Sequence, residues 1–121
     1  MNTKKYDLEE RLLHYSSSII TIVEQVPKSG TANHLSNQLL KSGTSPYSNH
    51  GEAQAAESSN DFIHKLRICL KELRETQRWL KLIKHIRIIK KYELIDLMIV
   101  ETEELIKIFV TSIKTAEKNR L

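Results

Sequence analysis

The chain has 121 residues, of which 40% are hydrophobic and 28% charged, and its formal net charge is +4. Three glycines and two prolines are too few for a turn-rich β fold, and the apolar content argues against disorder. One cysteine excludes an internal disulfide, and the lack of a signal-peptide-like or membrane-length apolar run predicts a cytoplasmic location.

The first predicted helix covers about residues 7–26. Asp7 is its candidate N-cap, and Pro27 ends its apolar pattern. Between them, apolar side chains recur at helical spacing and predict the buried face. They are Leu8, Leu12, Tyr15, Ile19, Ile22 or Val23, and Val26.

The second predicted helix covers about residues 32–57. Its middle, residues 42–51, has the Gly, Ser and Pro content of a loop. However, small residues recur through this stretch, and the pattern is helical again up to Glu57. These features favour one continuous helix that is kinked near Pro46 and packs closely against a neighbouring helix.

The third predicted helix covers about residues 60–88. Ser58, Ser59 or Asn60 caps it, and Asp61 in its first turn suits the positive end of the helix dipole. Its predicted core line is Phe62, Leu66, Cys69, Leu73, Thr76, Leu80 and Ile83.

The fourth predicted helix covers about residues 92–117 and has two apolar lines, although one is enough for a bundle core. The first line is Leu94, Met98, Leu105 and Phe109. The second line is Ile95, Ile99, Ile106, Val110 and Ile113. Excess apolar surface of this kind favours self-association, so the second line is the predicted oligomer interface. The alternative is a wide buried face inside one compact bundle.

The four amphipathic segments are joined by short connections, and no strand-like alternation occurs between them. The sequence therefore predicts an all-α fold, an up-down-up-down four-helix bundle with a kinked second helix. We expect residues 1–121 to form a single domain.

Positive charge is concentrated in one part of the chain. Residues 64–91 carry a net charge of +8, whereas residues 1–63 and 92–121 carry −2 each. On the third helix, eight residues alternate at spacings of four and three, which places them on one line. This basic strip is Asn60, His64, Arg67, Lys71, Arg74, Arg78, Lys81 and His85.

The basic strip predicts contact with nucleic-acid phosphates, because its guanidinium groups can grip phosphate and its own line contains no acid. The predicted contact set is Arg67, Lys71, Arg74, Arg78 and Lys81. No aromatic residue interleaves the strip, which argues against base stacking on it. Two alternatives stay open. One is an ordinary solvated helix face, and the other is a protein-interaction scaffold whose basic face meets an acidic protein partner.

No residue pattern indicates an enzyme, a metal site or a cofactor. The five histidines form no pair at helical ligand spacing, and Asp61-x-x-His64 is better explained by a helix start. Glu101 lies on an apolar line of the fourth helix, so we expect a structural partner such as an Arg or a second-helix hydroxyl.

The chain resembles a bacterial four-helix-bundle family, that of the proteins encoded by intervening sequences within large-subunit ribosomal RNA genes. Relatives of that family include the accessory protein of diversity-generating retroelements. The matching features are the small-residue run before Asn49 and Glu52, then DFIHKL at 61–66, LKELRET at 70–76 and the Trp79-Leu80 pair.

This resemblance implies a homopentameric assembly of bundles. In the retroelement branch it also implies binding to nucleic acid, RNA or DNA, and to a reverse transcriptase. It supplies no catalytic residues and no cofactor. The sequence alone does not choose between the retroelement branch and the ribosomal RNA gene branch.

Overall fold

The computed structural model describes residues 4–120, with side chains from Leu8 onward. Four helices follow one another in this range: α1 (Lys4–Gln25), α2 (Gly30–Gln54), α3 (Ser59–Ile86) and α4 (Glu93–Asn119). The described residues contain no strand, and the predicted all-α four-helix bundle is confirmed.

Each helix packs against its neighbours in chain order, and α4 returns to pack against α1. The connections are only a few residues long, so consecutive helices run antiparallel. The seam between α1 and α4 is the sparsest of the four, whereas α2 and α3 pack most closely.

The start of α3 follows local capping chemistry. Ser58 caps α3, since its hydroxyl accepts a 3.0 Å hydrogen bond from the backbone N–H of Asp61, as one of the three predicted caps requires. The described part of α1 begins at Lys4, before the predicted cap Asp7, and the Asp7 side chain lies outside the described residues. Helix α2 ends at Gln54, three residues earlier than predicted.

The buried core is built from large apolar side chains of all four helices, each contributing about 1.5–3 kcal/mol by leaving water. Tyr15, Leu39, Leu73 and Phe109 are at most 2% exposed. On α3 every predicted core residue is buried except Phe62, which is half-buried. The next residue, Ile63, is 1% exposed and occupies the core position instead.

Helix α2 runs without a break through the stretch that has loop composition, and its predicted continuity is confirmed. The small residues explain why, because a Cβ at Gly43 would lie 2.7 Å from Ile19 Cγ2 of α1. On the other side of α2, the buried hydroxyls of Ser42 and Thr76 are hydrogen-bonded at 2.9 Å. Pro46 is buried inside the helix and offers no N–H to the preceding turn. The bend expected there stays a prediction.

The second apolar line of α4 borders α3, since Ile99, Ile106, Val110 and Ile113 line hollows together with α3 residues. Ile95, Ile106 and Ile113 are 1%, 9% and 7% exposed within a single chain. Ile99 and Val110 are half-buried. The compact-bundle alternative therefore accounts for the three buried residues, and a role for Ile99 and Val110 in association stays a prediction.

Candidate nucleic-acid interface

The basic strip lies on the outer side of α3, on the flank that borders α4. All eight of its residues are exposed. Its five Lys and Arg side chains run from Arg67 to Lys81, a distance of about 21 Å along the helix axis. The structure thus brings every predicted nucleic-acid contact residue to one accessible surface.

Helix α4 places acidic residues along the border of this strip. The carboxylate of Glu117 forms an ion pair with Arg67. Farther along, Glu103 accepts a 2.9 Å hydrogen bond from Gln77. The strip's own line on α3 contains no acid, but acids of α4 border it.

These acids recur every seven residues, which keeps them on one side of α4. The line is Asp96, Glu103, Val110 and Glu117, with an apolar residue in third place. Asp96 contacts Lys84 at 2.5 Å, so each acid in the line meets α3. The charges of α3, from which the strip was predicted, do not reveal this line, although its seven-residue spacing is visible in the sequence of α4.

Val110 leaves a gap in the acidic border. Around it lies a hollow between α3 and α4 whose floor is apolar, formed by Leu70, Val110 and Ile113. Its rim carries four cations and one acid: Arg67, Lys71, Arg74, Lys114 and Glu117. Positive charge is least compensated here, since Glu117 is the one carboxylate among the described residues that line this hollow.

The hollow at Val110 opens toward a second one farther along the groove. Arg74 belongs to both, and the second also includes Arg78, Lys81 and His85, with Glu103 at its edge. The predicted contact residues therefore share one continuous groove with α4, and this groove also recruits Lys114, which the sequence interpretation did not include.

Glu101 has the structural partner that its place on an apolar line required. Arg11 donates two hydrogen bonds to its carboxylate, from Nη2 at 2.6 Å and from Nε at 3.0 Å. This two-point pairing closes the seam between α1 and α4 beside the buried Tyr15–Thr102 hydroxyl pair, whose oxygens are 2.6 Å apart. The expectation of an arginine partner is confirmed.

Two neighbouring acids of α3, Glu72 and Glu75, lie on the flank of this helix that faces α2. Glu75 accepts a 3.3 Å hydrogen bond from the indole N–H of Trp79. Burial raises the pKa of Glu72, and the neighbouring Glu75 raises it further, while Lys71 and Lys41 oppose the shift. The Thr76 hydroxyl also donates a 2.7 Å hydrogen bond to the backbone carbonyl oxygen of Glu72, so the surroundings of this pair favour a structural role.

Among the described side chains, no group of three or more His, Cys, Asp or Glu is placed to hold a metal ion. Within the same residues, no helix is long and apolar enough to cross a membrane.

The chain is similar to known proteins over nearly its whole length. Residues 4–111 match the model of a family described as 23S rRNA-intervening sequence protein. A solved structure from Bacteroides thetaiotaomicron, a protein of unknown function from the S23 ribosomal protein family, is 32% identical with a TM-score of 0.80. That similarity covers 88% of this chain and 97% of the other. No curated protein matches the chain.

Proposed function

The chain belongs to the 23S rRNA-intervening sequence protein family, and we propose that it is a non-enzymatic protein that binds nucleic acid through the basic strip. The observation that carries this proposal is the gap in the acidic border at Val110. There Lys71, Arg74 and Lys114 surround an open hollow with no carboxylate opposite them except Glu117 at its edge.

A phosphate backbone fits this surface in charge and in length. Arg74 and Arg78 are exposed guanidinium groups that can hold phosphate oxygens in pairs, and lysines extend the positive line in both directions. Phosphate contacts fix position without reading bases, so we expect affinity for many sequences and little sequence preference from this groove.

Salt dependence of RNA and DNA binding measures the number of phosphate contacts. If all five cations of the contact set engage, log K falls with log salt at a slope of about −3.5 on single strands and about −4.5 on duplex DNA. If Arg67 stays paired with Glu117, the remaining four cations give slopes of about −2.8 on single strands and about −3.6 on duplex DNA. A slope near zero would contradict the proposal.

Charge reversal locates the binding surface. The double variant Arg74→Glu and Arg78→Glu should weaken binding strongly and similarly for unrelated sequences. The matched control reverses Lys28 and Lys41, two exposed lysines elsewhere on the molecule, and so changes the net charge equally. Circular dichroism should show both double variants folded, because exposed charges contribute little to stability.

A variant in the opposite direction completes the test. Glu117→Gln frees Arg67 and removes the acid at the edge of the Val110 hollow, so its affinity for RNA should rise. Unaltered RNA affinity in the Arg74/Arg78 variant would exclude this surface and favour the protein scaffold instead. Binding of polyglutamate, an acidic polymer without bases or phosphates, would then support an acidic protein partner.

We also propose that the chain self-associates, with five copies as the number that the family resemblance implies. Support comes from Leu97 and Val100 on α4, which are 67% and 63% exposed and are the most exposed large apolar side chains described. Light scattering at micromolar concentration should give a mass well above 14.1 kDa. Replacing both residues with Glu should then lower the mass without unfolding, and a concentration-independent monomer would contradict the proposal.

A reverse transcriptase is a further partner that only the retroelement resemblance implies. A gene for such an enzyme beside this one would favour that branch, and co-purification of the two proteins would test it. Placement of the gene inside a ribosomal RNA gene would favour the other branch.

A further inference from the structure

We propose that the nucleic acid bound by this protein is single-stranded, and that one of its bases stacks on Tyr92 at the α3–α4 connection. This inference rests on the proposed function and names the class of ligand and the contact that selects it. Its site is a hollow at the end of the groove, lined by Lys81, Lys84, His85, Arg87, Tyr92 and Ile99, with Asp96 at its edge. We call it the corner hollow.

Positive charge is dense at this corner of the bundle. Residues 81–92 contain five Lys and Arg and no acid. Lys84 is paired with Asp96 at 2.5 Å, whereas Lys81 and Arg87 are exposed beside it. The basic strip leads directly into the corner hollow, since Lys81 and His85 line both this hollow and the preceding one. A strand whose phosphates follow the strip would therefore arrive at Tyr92.

Tyr92 supplies the aromatic surface that the basic strip lacks. It is half-buried and packs against the hydrophobic core, so its ring is held in place while part of it stays accessible. Beside it, half-buried Ile99 adds an apolar wall. An unpaired base can stack on an aromatic ring of this kind, whereas a duplex keeps its base faces covered.

Two residues of the corner hollow occupy backbone positions that do not suit them. Arg87 follows the last turn of α3 with φ 55° and ψ 43°, the left-handed conformation in which glycine is the usual residue. Tyr92 precedes α4 at the cap position, where Ser, Thr, Asp or Asn would satisfy the first N–H groups. The residue at each end of the α3–α4 connection is thus unfavourable for its backbone position, whereas its side chain is well suited to contact nucleic acid.

The test compares two substitutions on two probes. The probes are a labelled 12-nucleotide RNA of mixed sequence and the same strand annealed to its complement. Tyr92→Leu should weaken single-strand binding by about tenfold, within the range found for loss of one stacked base. Duplex affinity and the salt slope should hold, because no phosphate contact is removed. Tyr92→Phe keeps the ring and should bind both probes like the unaltered protein.

Cross-linking of the unaltered protein gives a second measurement that needs no variant to fold. Single-stranded RNA containing 5-iodouridine is irradiated in the complex, and the attached residue is mapped by mass spectrometry. Attachment at Tyr92 is expected. Attachment confined to the basic strip, or equal losses on both probes for Tyr92→Leu, would overturn this inference and leave the proposed function standing. No binding of either probe at low salt would overturn both.

Discussion

Helix α2 and the groove between α3 and α4 show two opposite uses of helix surface. On α2, small residues bring neighbours so close that Gly43 has no room for a methyl group against Ile19. In the groove, long charged side chains surround hollows at Val110 and at the corner. Gly43 and Ile19 are buried, whereas the Lys and Arg side chains around the groove are exposed.

This difference separates the residues that stabilise the fold from those proposed to bind. Burial of apolar and small side chains dominates the free energy of folding, whereas exposed charges contribute little to it. Substitutions in the groove should therefore change affinity with little effect on stability, and substitutions under α2 should do the reverse.

The largest expected effect comes from adding one methyl group to the packed region. Gly43→Ala would place Cβ 2.7 Å from the Cγ2 atom of fully buried Ile19. Overpacking costs about 1–3 kcal/mol, and a stiff β-branched neighbour favours the upper end. Replacing Gly by Ala also gains about 1 kcal/mol in helix propensity. The free energy of unfolding, measured by urea denaturation, should therefore fall by about 1–2 kcal/mol.

Gly51→Ala is the matched control for this substitution in the same helix. A methyl group there would meet no atom within 4 Å, so only the propensity gain remains. The variant should be more stable by about 0.5–1 kcal/mol. Equal effects at the two glycines would show that close packing on Ile19 is not what requires Gly43.

A smaller effect is expected at the seam between α1 and α4, which a polar contact closes. Glu101→Ala removes both hydrogen bonds to Arg11. The two side chains keep 38% and 29% exposure, so the loss should be about 1 kcal/mol, well below the cost of a buried ion pair. The control Glu104→Ala removes an exposed acid from the same helix. A loss above about 3 kcal/mol would show a fully desolvated pair.

At Arg87 the separation between stability and binding should be directly visible. Arg87→Gly relieves the left-handed backbone and should raise the free energy of unfolding by about 0.5–1 kcal/mol. The same change removes a cation from the corner hollow and should weaken RNA binding. The control Lys90→Gly, at an exposed position of the same connection, removes a charge without relieving a positive φ. Stabilisation without loss of affinity would leave Arg87 no role in binding.

The smallest effect concerns pH. Burial and then Glu75 raise the pKa of Glu72, so the folded state holds this proton to higher pH than the unfolded state does. The contribution of Glu72 to stability therefore falls as pH rises from its unfolded pKa to its folded pKa. Glu72→Gln should remove that dependence and stabilise the protein slightly at neutral pH. Thermal unfolding from pH 4 to pH 7, with Glu104→Gln as control, measures it.

Most of the fold follows from the helical spacing of apolar residues, which identified four helices and nearly all the core of α3. Spacing could not choose between neighbouring apolar residues, so Phe62 was placed in the core where Ile63 lies. The spacing of apolar residues also showed that α4 has two apolar lines, but it could not show which helix or subunit covers the second line. Packing against α3 buries Ile106 and Ile113, a contact that depends on how the helices are rotated.

The candidate interface was predicted in part. The exposure of the basic strip followed from its spacing, because charged residues on one line of an amphipathic helix face water. Its border could not be derived from α3, since Glu103 and Glu117 come from another helix. The arginine partner of Glu101 was predicted by type, while its identity as Arg11 depends on the register between α1 and α4.

The rate at which Cys69 reacts can report how often this bundle opens. The thiol is fully buried between α3 and α2, with Sγ 3.5 Å from the carbonyl oxygen of Pro46, and burial raises its pKa to about 12. A thiol reagent must reach the sulfur and reacts with its thiolate form. In the closed bundle the sulfur is buried and the thiol stays protonated at neutral pH. Labelling of this single cysteine at neutral pH should therefore proceed only through molecules in which α2 and α3 have separated. The labelling rate would therefore measure how often α2 and α3, the most tightly packed helix pair, separate in the native protein without any substitution.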